Sequence, residues 1–230
     1  PITVSASMAF VAVIAGLREV LPLISLSLSS FVATGILREW VKGTASLHRR
    51  GVNIIVAFPK LVFSNRPRYG GYIAHLGIIV LALSVTGSSF YSSQQDIPLT
   101  VGERTNVGHY EIEYVSHQTE VKIDRIEQRA RLNIYANTKL IDSLNPGYAF
   151  YPDHNMAATR AGIRSTVKED LYIIASEFSD DGTALFRVYI NPLVIWMWIA
   201  GPLMVLGTIV ALWPERRPAL LAGPNQHLDQ

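Results

Sequence analysis

The chain has 230 residues, of which 49% are hydrophobic and 17% are charged, and its formal net charge is only +2. This composition is richer in apolar side chains than a soluble domain of the same length requires, which argues against a wholly water-soluble protein. The sequence contains no cysteine, so disulfides and thiolate metal sites are excluded.

Apolar side chains concentrate in four segments that approach or reach the length needed to cross a bilayer. These segments are residues 4–17, 20–37, 73–91 and 192–213. The last segment has no charged side chain, and its tryptophans near the two ends suit the headgroup region. We do not interpret the first segment as a signal peptide, because Arg18 and Glu19 follow it directly and a second apolar segment comes next. The sequence therefore predicts about four transmembrane helices, two of them within residues 1–37.

Charge is distributed unevenly between these segments. Residues 38–72 contain seven basic residues and a single acid, whereas residues 92–191 contain 14 acids and 10 bases. Short loops rich in Lys and Arg remain in the cytoplasm, so we expect 38–72 to be cytoplasmic, 92–191 to lie outside, and the tail 214–230 to return to the cytoplasm. A basic loop between two spanning segments indicates orientation and affinity for anionic membrane lipid, and we expect no nucleic-acid partner.

Within the basic loop, residues 52–63 carry apolar side chains at helical spacing, which predicts an amphipathic helix on the membrane surface. The following stretch, residues 65–71, contains Pro67, Gly70 and Gly71. Proline and paired glycines disfavour regular structure, so we expect a turn that leads into the transmembrane helix 73–91.

The segment 92–191 alternates apolar and polar residues with the period of a β-strand. The alternation is clearest at residues 110–114, 130–134 and 186–190, and 171–175 form a shorter apolar strand. Asp180, Asp181 and Gly182 predict a turn that folds this strand onto the last one, and residues 145–147 predict a second turn. The fold class is therefore a membrane α-helical protein with a mainly-β extracytoplasmic domain inserted between the third and fourth helices.

His75 is the one ionisable residue within a predicted membrane span, and it lies near Gly71, Ala74 and Gly77. Neutral imidazole is a common ligand of iron and zinc, and haem iron in particular takes axial histidine. Alternatively, His75 bonds a backbone carbonyl or a neighbouring helix. Small neighbouring residues suit either a flat partner or a closely packed helix.

The remaining candidates for chemistry carry weaker signals. His109, His117 and His154 show no metal-ligand spacing, and we expect them on the surface of the β domain. Glu169 and Asp170 are adjacent, so a strand would direct them to opposite faces and no paired-carboxylate site is expected.

Four stretches in order resemble the cytochrome c-type biogenesis family CcmF, which contains the haem lyases of cytochrome c maturation. The first is RYGGYIAHLG at residues 68–77, followed by an apolar span that ends in GSS at 87–89. The second is LTVGE at 99–103 together with Tyr110, the third is DLY at 170–172, and the fourth is YINPLVIWMW at 189–198. The resemblance covers roughly residues 17–217 and matches the C-terminal portion of such a protein.

The resemblance implies that His75 is an axial ligand of a transmembrane haem b, so that the haem iron is the metal it binds. The second ligand would come from the N-terminal part of the same protein or from a separate subunit. The β domain would be periplasmic, in a multi-pass protein of the inner (cytoplasmic) membrane, and would dock a haem chaperone or apocytochrome c. No catalytic residue is expected in this chain, which alone should be inactive. Two alternatives are a non-catalytic membrane assembly factor and a transporter fragment in which His75 lies on a proton or solute path.

Overall fold

The computed structural model describes residues 1–179 and 181–214. Four helices come first, then ten strands, then a fifth helix. The helices are α1 (Ile2–Ile14), α2 (Val20–Arg49), α3 (Ile54–Ser64), α4 (Arg66–Tyr91) and α5 (Val194–Leu212). Asp180 and all of the predicted cytoplasmic tail except Pro214 lie outside the described residues.

Three of the helices, α2, α4 and α5, are long and apolar enough to cross a membrane. They correspond to the second, third and fourth predicted spans. The first predicted span differs, because α1 has 13 residues. At about 1.5 Å per residue such a helix is about 20 Å long, which is shorter than the hydrocarbon core of a bilayer. Within the described residues, three helices rather than four therefore have the length of a span.

The helix ends also differ from the predicted boundaries. Helix α2 runs on to Arg49 instead of ending near residue 37, so much of the predicted loop 38–72 is helical. Helix α4 begins at Arg66 rather than at 73. Residues 65–71, where a turn was expected, instead form the N-cap and the first turns of this helix. The Asn65 side chain accepts a hydrogen bond from the Arg68 amide, and Pro67 stands in the first turn, where a missing N–H breaks no bond.

Helix α3 lies where an amphipathic helix was predicted, and one of its faces packs on the other helices. Leu61 and Val62 are buried together with Tyr69 of α4, and Trp40 and Leu47 of α2 contact the same cluster. The opposite face exposes apolar side chains, namely Ile54, Ile55, Val56 and Phe63. An exposed apolar face on a basic loop suits the surface of a membrane.

Helices α4 and α5 form a closely packed antiparallel pair. Gly70 faces the backbone of Ala211, and Gly207 faces the backbone of Ala74. A Cβ atom at either glycine would clash with the opposite backbone. Small residues therefore let the two helices approach to backbone contact, as is usual in membrane helix pairs.

The ten strands form a β-sandwich between α4 and α5. They are β1 (Ser93–Thr100), β2 (Arg104–Val107), β3 (Tyr110–Val121), β4 (Ile126–Ala136), β5 (Lys139–Leu144), β6 (Gly147–Tyr151), β7 (Met156–Arg160), β8 (Gly162–Ser165), β9 (Glu169–Phe178) and β10 (Thr183–Pro192). One sheet has the order β1-β10-β9-β8, and the other has the order β2-β3-β4-β6-β7 with β5 also paired to β4.

The core between the sheets includes most of the apolar residues that the strand alternation predicts. Tyr114 and Phe186 are buried and pack edge to face, with ring centroids 5.1 Å apart. The other fully buried side chains include Leu99, Ile112, Leu132, Ile134, Leu171, Ile173 and Val188. The predicted hairpin of β9 and β10 is confirmed. The predicted turn at residues 145–147 is wrong. Strands β5 and β6 both pair with β4, so the chain runs on alongside β4 without reversing, and the pairing is interrupted at residues 145 and 146.

The sandwich connects to the helices through the loop before β9. The Leu193 amide donates to the Lys168 carbonyl at 2.9 Å, and the indole N–H of Trp196 donates to the Val167 carbonyl at 2.8 Å. Leu193 has a φ of 62°, a left-handed conformation that is rare for leucine. These contacts hold the β domain against the start of α5.

Candidate functional site

His75 lines a groove between α2 and α4. The groove has a volume of about 470 Å³, and its other lining residues include Phe31, Val32, Gly35 and Tyr72. Gly35 leaves open space where a side chain would stand, since no atom lies within 4 Å of its missing Cβ. The imidazole is exposed in this groove, so it is available to a further group.

One hydrogen bond defines the protonation pattern of the His75 ring. Nδ1 lies 2.8 Å from the backbone oxygen of Gly71, one helical turn earlier. A carbonyl oxygen can only accept, so Nδ1 carries the hydrogen and donates it. In the neutral ring the lone pair is then on Nε2, to which no group in the described part of the chain bonds. This is the arrangement found in metal-bound histidines, whose other nitrogen is oriented by a carbonyl or carboxylate.

The small residues around His75 divide into two sets. Gly70, Ala74 and Gly77 face α5 and are used for helix packing. Gly71 has no atom within 4 Å of its missing Cβ, so it leaves open space next to the imidazole. The sequence alone could not separate these roles, because both sets fall on the same short stretch of helix.

Two cations line the same groove and were not identified from the sequence as site residues. Arg38 and Lys42 of α2 are exposed, and neither forms an ion pair with a carboxylate among residues 1–179 and 181–214. Glu39, between them, pairs with Arg68 of α4. The groove thus combines an imidazole, an apolar wall and two cations that are free to meet an anionic group.

The other histidines have structural partners or stay on the surface. The Nε2 of His109 lies 2.8 Å from Oε1 of Glu169, and the Tyr110 hydroxyl donates to the same oxygen at 2.8 Å. Burial and this hydrogen bond raise the pKa of Tyr110 to about 12. His117 stacks on Phe178 with centroids 4.5 Å apart. No three His, Asp or Glu side chains among the described residues form a group that could hold a metal ion.

Comparisons with known proteins agree with this architecture. Residues 90–192 match the family described as the CcmF C-terminal beta-sandwich. The cytochrome c-type biogenesis protein CcmF of Pseudomonas aeruginosa is 30% identical over 151 residues, which are 66% of this chain and 23% of that protein. The CcmF of Haemophilus influenzae is 28% identical over 152 residues, which are 66% of this chain and 24% of that protein.

A longer alignment and a solved structure extend the similarity to the helices. The cytochrome c-type biogenesis protein ccl1 of Rhodobacter capsulatus is 26% identical over 223 residues, 96% of this chain and 32% of that protein. A solved structure titled Cytochrome c Heme Lyase CcmF shares the fold with a TM-score of 0.68 at 24% identity, over 92% of this chain and 33% of the other. The chain therefore spans about a quarter to a third of the length of these relatives.

The β-sandwich and the helices on both sides of it thus occur in the same order in proteins of one kind, and residues 90–192 of this chain belong to the CcmF family as its C-terminal β-sandwich.

Proposed function

We propose that this chain acts in cytochrome c maturation as part of a haem lyase, in which His75 is one axial ligand of a transmembrane haem b. The observation that carries the proposal is the His75 imidazole itself. Its Nδ1–H is committed to the Gly71 carbonyl, so the Nε2 lone pair is the free one, and the ring lines a groove within the apolar helices.

The residues of the groove fit this cofactor. Gly35 and the apolar side chains Phe31 and Val32 offer an apolar wall with open space beside Gly35. Arg38 and Lys42 suit the two propionate carboxylates, because hydrogen bonds between a cation and a carboxylate are stronger than those between neutral groups. The low dielectric around the groove and the axial imidazole would tune the iron. Bound there, haem b would supply electrons that keep the delivered haem iron reduced for thioether attachment.

Several partners belong to this proposal. A second haem ligand would come from the remaining part of the same protein or from a separate subunit. The β domain lies on the periplasmic side and docks a haem chaperone or apocytochrome c. With one ligand and no catalytic residue of its own, this chain alone is inactive.

The test is the absorption spectrum of the assembly purified from membranes with His75 intact or changed. We expect His75→Ala to abolish the reduced b-type bands, whereas His109→Ala, a histidine of the β domain, leaves them unchanged. An unchanged spectrum in His75→Ala would remove the haem role and leave the β domain as a docking module of an assembly factor. Proton-coupled flux that depends on His75 would instead indicate a transporter.

A further inference from the structure

The outer face of the larger sheet carries two adjoining cavities of about 230 and 440 Å³. Both are lined by Arg129 and Arg160, and we call the combined depression the arginine groove. Its lining contains four arginines and a single carboxylate, Glu127, although the segment 92–191 as a whole has more acids than bases. Positive charge is therefore concentrated on this face of an otherwise acidic domain.

The strand register produces the shape of the groove. Arg129 of β4 pairs with Gly147 of β6, and Gly147 pairs with Arg160 of β7. Since neighbouring strands lie about 4.8 Å apart, the two arginines stand about 10 Å apart across a residue with no side chain. Gly147 is required by the backbone, because a Cβ there would clash with the Gln128 oxygen. The notch between the two arginines follows from that requirement, and Ala149 and Ala158 extend its floor.

The charges in the groove are only partly neutralised inside the domain. Glu127 accepts hydrogen bonds from Arg125, Lys122 and Arg129, and these bonds lower its pKa to about 2. Arg131 and Arg160 form no ion pair with a carboxylate among residues 1–179 and 181–214. Two guanidinium groups thus remain available for anions from another molecule.

The edge of the sheet next to the groove is open as well. Strand β7 is the outermost strand of its sheet, and all five of its residues are exposed. Arg160 is its only charged residue. An outermost strand presents unpaired N–H and C=O groups, which an extended peptide can use by adding one more strand. Alternate side chains of such a peptide would face the same side as Arg160 and Ala158.

The position of the groove argues against a lipid headgroup as its ligand. The groove lies near the end of the sandwich where β3 and β4 meet, at the pairs Val121–Ile126 and Glu120–Glu127. The opposite end of β3, at Tyr110, is the one that contacts Glu169, beside the start of α5. The groove is therefore on the half of the sandwich that is farther from the spanning helices.

We infer that the arginine groove and the free edge of β7 form a docking surface for an extended acidic segment of a protein partner. The inference rests on the proposed function, in which the β domain docks a partner, and it assigns the surface and the chemistry of that partner. Backbone pairing along β7 supplies affinity, and carboxylates on the groove side of the segment pair with Arg160. Arg131, on β4, is farther from the added strand and contributes to the positive potential that attracts them.

The test measures binding of synthetic peptides to the full chain in nanodiscs of neutral lipid. The probe is a peptide of about nine residues that alternates glutamate and valine, and its counterpart contains glutamine in place of glutamate. We expect the glutamate peptide to bind, with an affinity that falls as salt rises, and the glutamine peptide to bind at least about tenfold more weakly. Two further peptides carry N-methyl groups on one or the other set of alternate amides, and we expect one of the two to lose binding.

Three protein variants locate the site. Arg160→Glu should weaken binding of the glutamate peptide about tenfold or more, and Arg131→Glu, farther from the added strand, should weaken it by a smaller factor. Lys139→Glu is the matched control, because it makes the same charge change at an exposed residue outside the groove and should leave binding unchanged. Thermal unfolding of each variant checks that the sandwich is intact.

Equal binding of both peptides, or undiminished binding to Arg160→Glu, would overturn the inference. Inorganic phosphate that displaces the peptide at equal concentration would indicate a simple anion site instead, and insensitivity to both N-methylated peptides would exclude strand addition. The b-type absorption spectrum tests the proposed haem role separately. The Arg160→Glu variant should retain this spectrum, and the His75→Ala variant should retain peptide binding.

Discussion

From the sequence alone, His75 has two interpretations that exclude each other: a haem ligand, or a histidine that bonds a backbone carbonyl or a neighbouring helix. The hydrogen bond from Nδ1 to the Gly71 carbonyl satisfies the alternative in which the histidine bonds the backbone of its helix. The same bond leaves the Nε2 lone pair free and fixes the ring, which is what an axial ligand requires. In the proposed ligand role, the bond to the Gly71 carbonyl therefore orients the imidazole ring.

A residue-scale prediction concerns the open wall of the His75 groove. Gly35→Leu places a side chain in space that no atom occupies within 4 Å. The helix should tolerate it, because leucine has a higher helix propensity than glycine by about 1 kcal/mol. We expect the purified assembly to lose about half or more of its b-type absorbance, since the groove becomes narrower.

The matched control for this prediction is Gly201→Leu, which makes the same change in α5 at another position with open space. Its b-type absorbance should equal that of the unmodified protein. Full haem content in Gly35→Leu would show that the cofactor does not use this groove.

A second residue-scale prediction follows from the depressed pKa of Glu127. Hydrogen bonds from Arg125 and Lys122 lower it from 4.5 to about 2, so the ionised form is favoured in the folded state. The stabilisation of the fold by the ionised Glu127 carboxylate is therefore complete above about pH 4.5 and is lost as the pH falls toward 2. Glu127→Gln should therefore lower the melting temperature at pH 7, and the gap to the unmodified protein should narrow across that window.

Thermal unfolding at a series of pH values measures this gap. Glu120→Gln is the control, because Glu120 is exposed and its nearest cation, Lys122, is 3.6 Å away. Exposed pairs of that kind contribute little, so the control should differ only slightly from the unmodified protein. A gap for Glu127→Gln that stays constant down to pH 2 would contradict the proposed linkage.

At the scale of elements, the α4–α5 pair depends on close backbone approach. Gly207→Val inserts a branched side chain against the backbone of Ala74. Because the contact is between two backbones, only separation of the two helices relieves it, and we expect a loss of stability of about 3 kcal/mol. Unfolding in detergent measures the loss, and Gly201→Val in the same helix, where space is open, should be nearly neutral. Similar losses in both variants would show that helix propensity, and not packing, is responsible.

The lengths of the elements show where sequence patterns stop being informative. Apolar composition places the centres of α2, α4 and α5, but it does not show that α2 continues to Arg49. That extension is stabilised because Trp40 and Leu47 pack on α3. Likewise, residues 145–147 have the composition of a turn, yet the pairing of β5 and β6 with the same strand keeps the chain extended.

At the scale of the whole molecule, α4 and α5 enter the β domain from the same side, and the basic loop lies at the other end of α4. This arrangement predicts the orientation in the membrane. The chain has no cysteine, so single cysteines can report it. In intact spheroplasts, a membrane-impermeant maleimide should label Lys139→Cys, in the β4–β5 hairpin, and should not label Lys60→Cys, on α3.

Permeabilised membranes provide the control, in which both variants should be labelled because both lysines are exposed. Labelling of Lys60→Cys in intact spheroplasts would reverse the orientation, and the β domain could then no longer dock a periplasmic partner.

The sequence by itself determined the apolar segments of membrane-spanning length, the position of the β domain between two of them, the inward-facing strand residues and the choice of His75 as a candidate ligand. These follow from local properties: hydropathy, the period of alternation and the cost of an ionisable group in an apolar segment. Only the tertiary structure decided which glycines of α4 face α5, that Arg38 and Lys42 share a groove with His75, and that Arg129, Gly147 and Arg160 form one row. Helix packing and strand register bring these residues together across long sequence separations, and no local pattern records them.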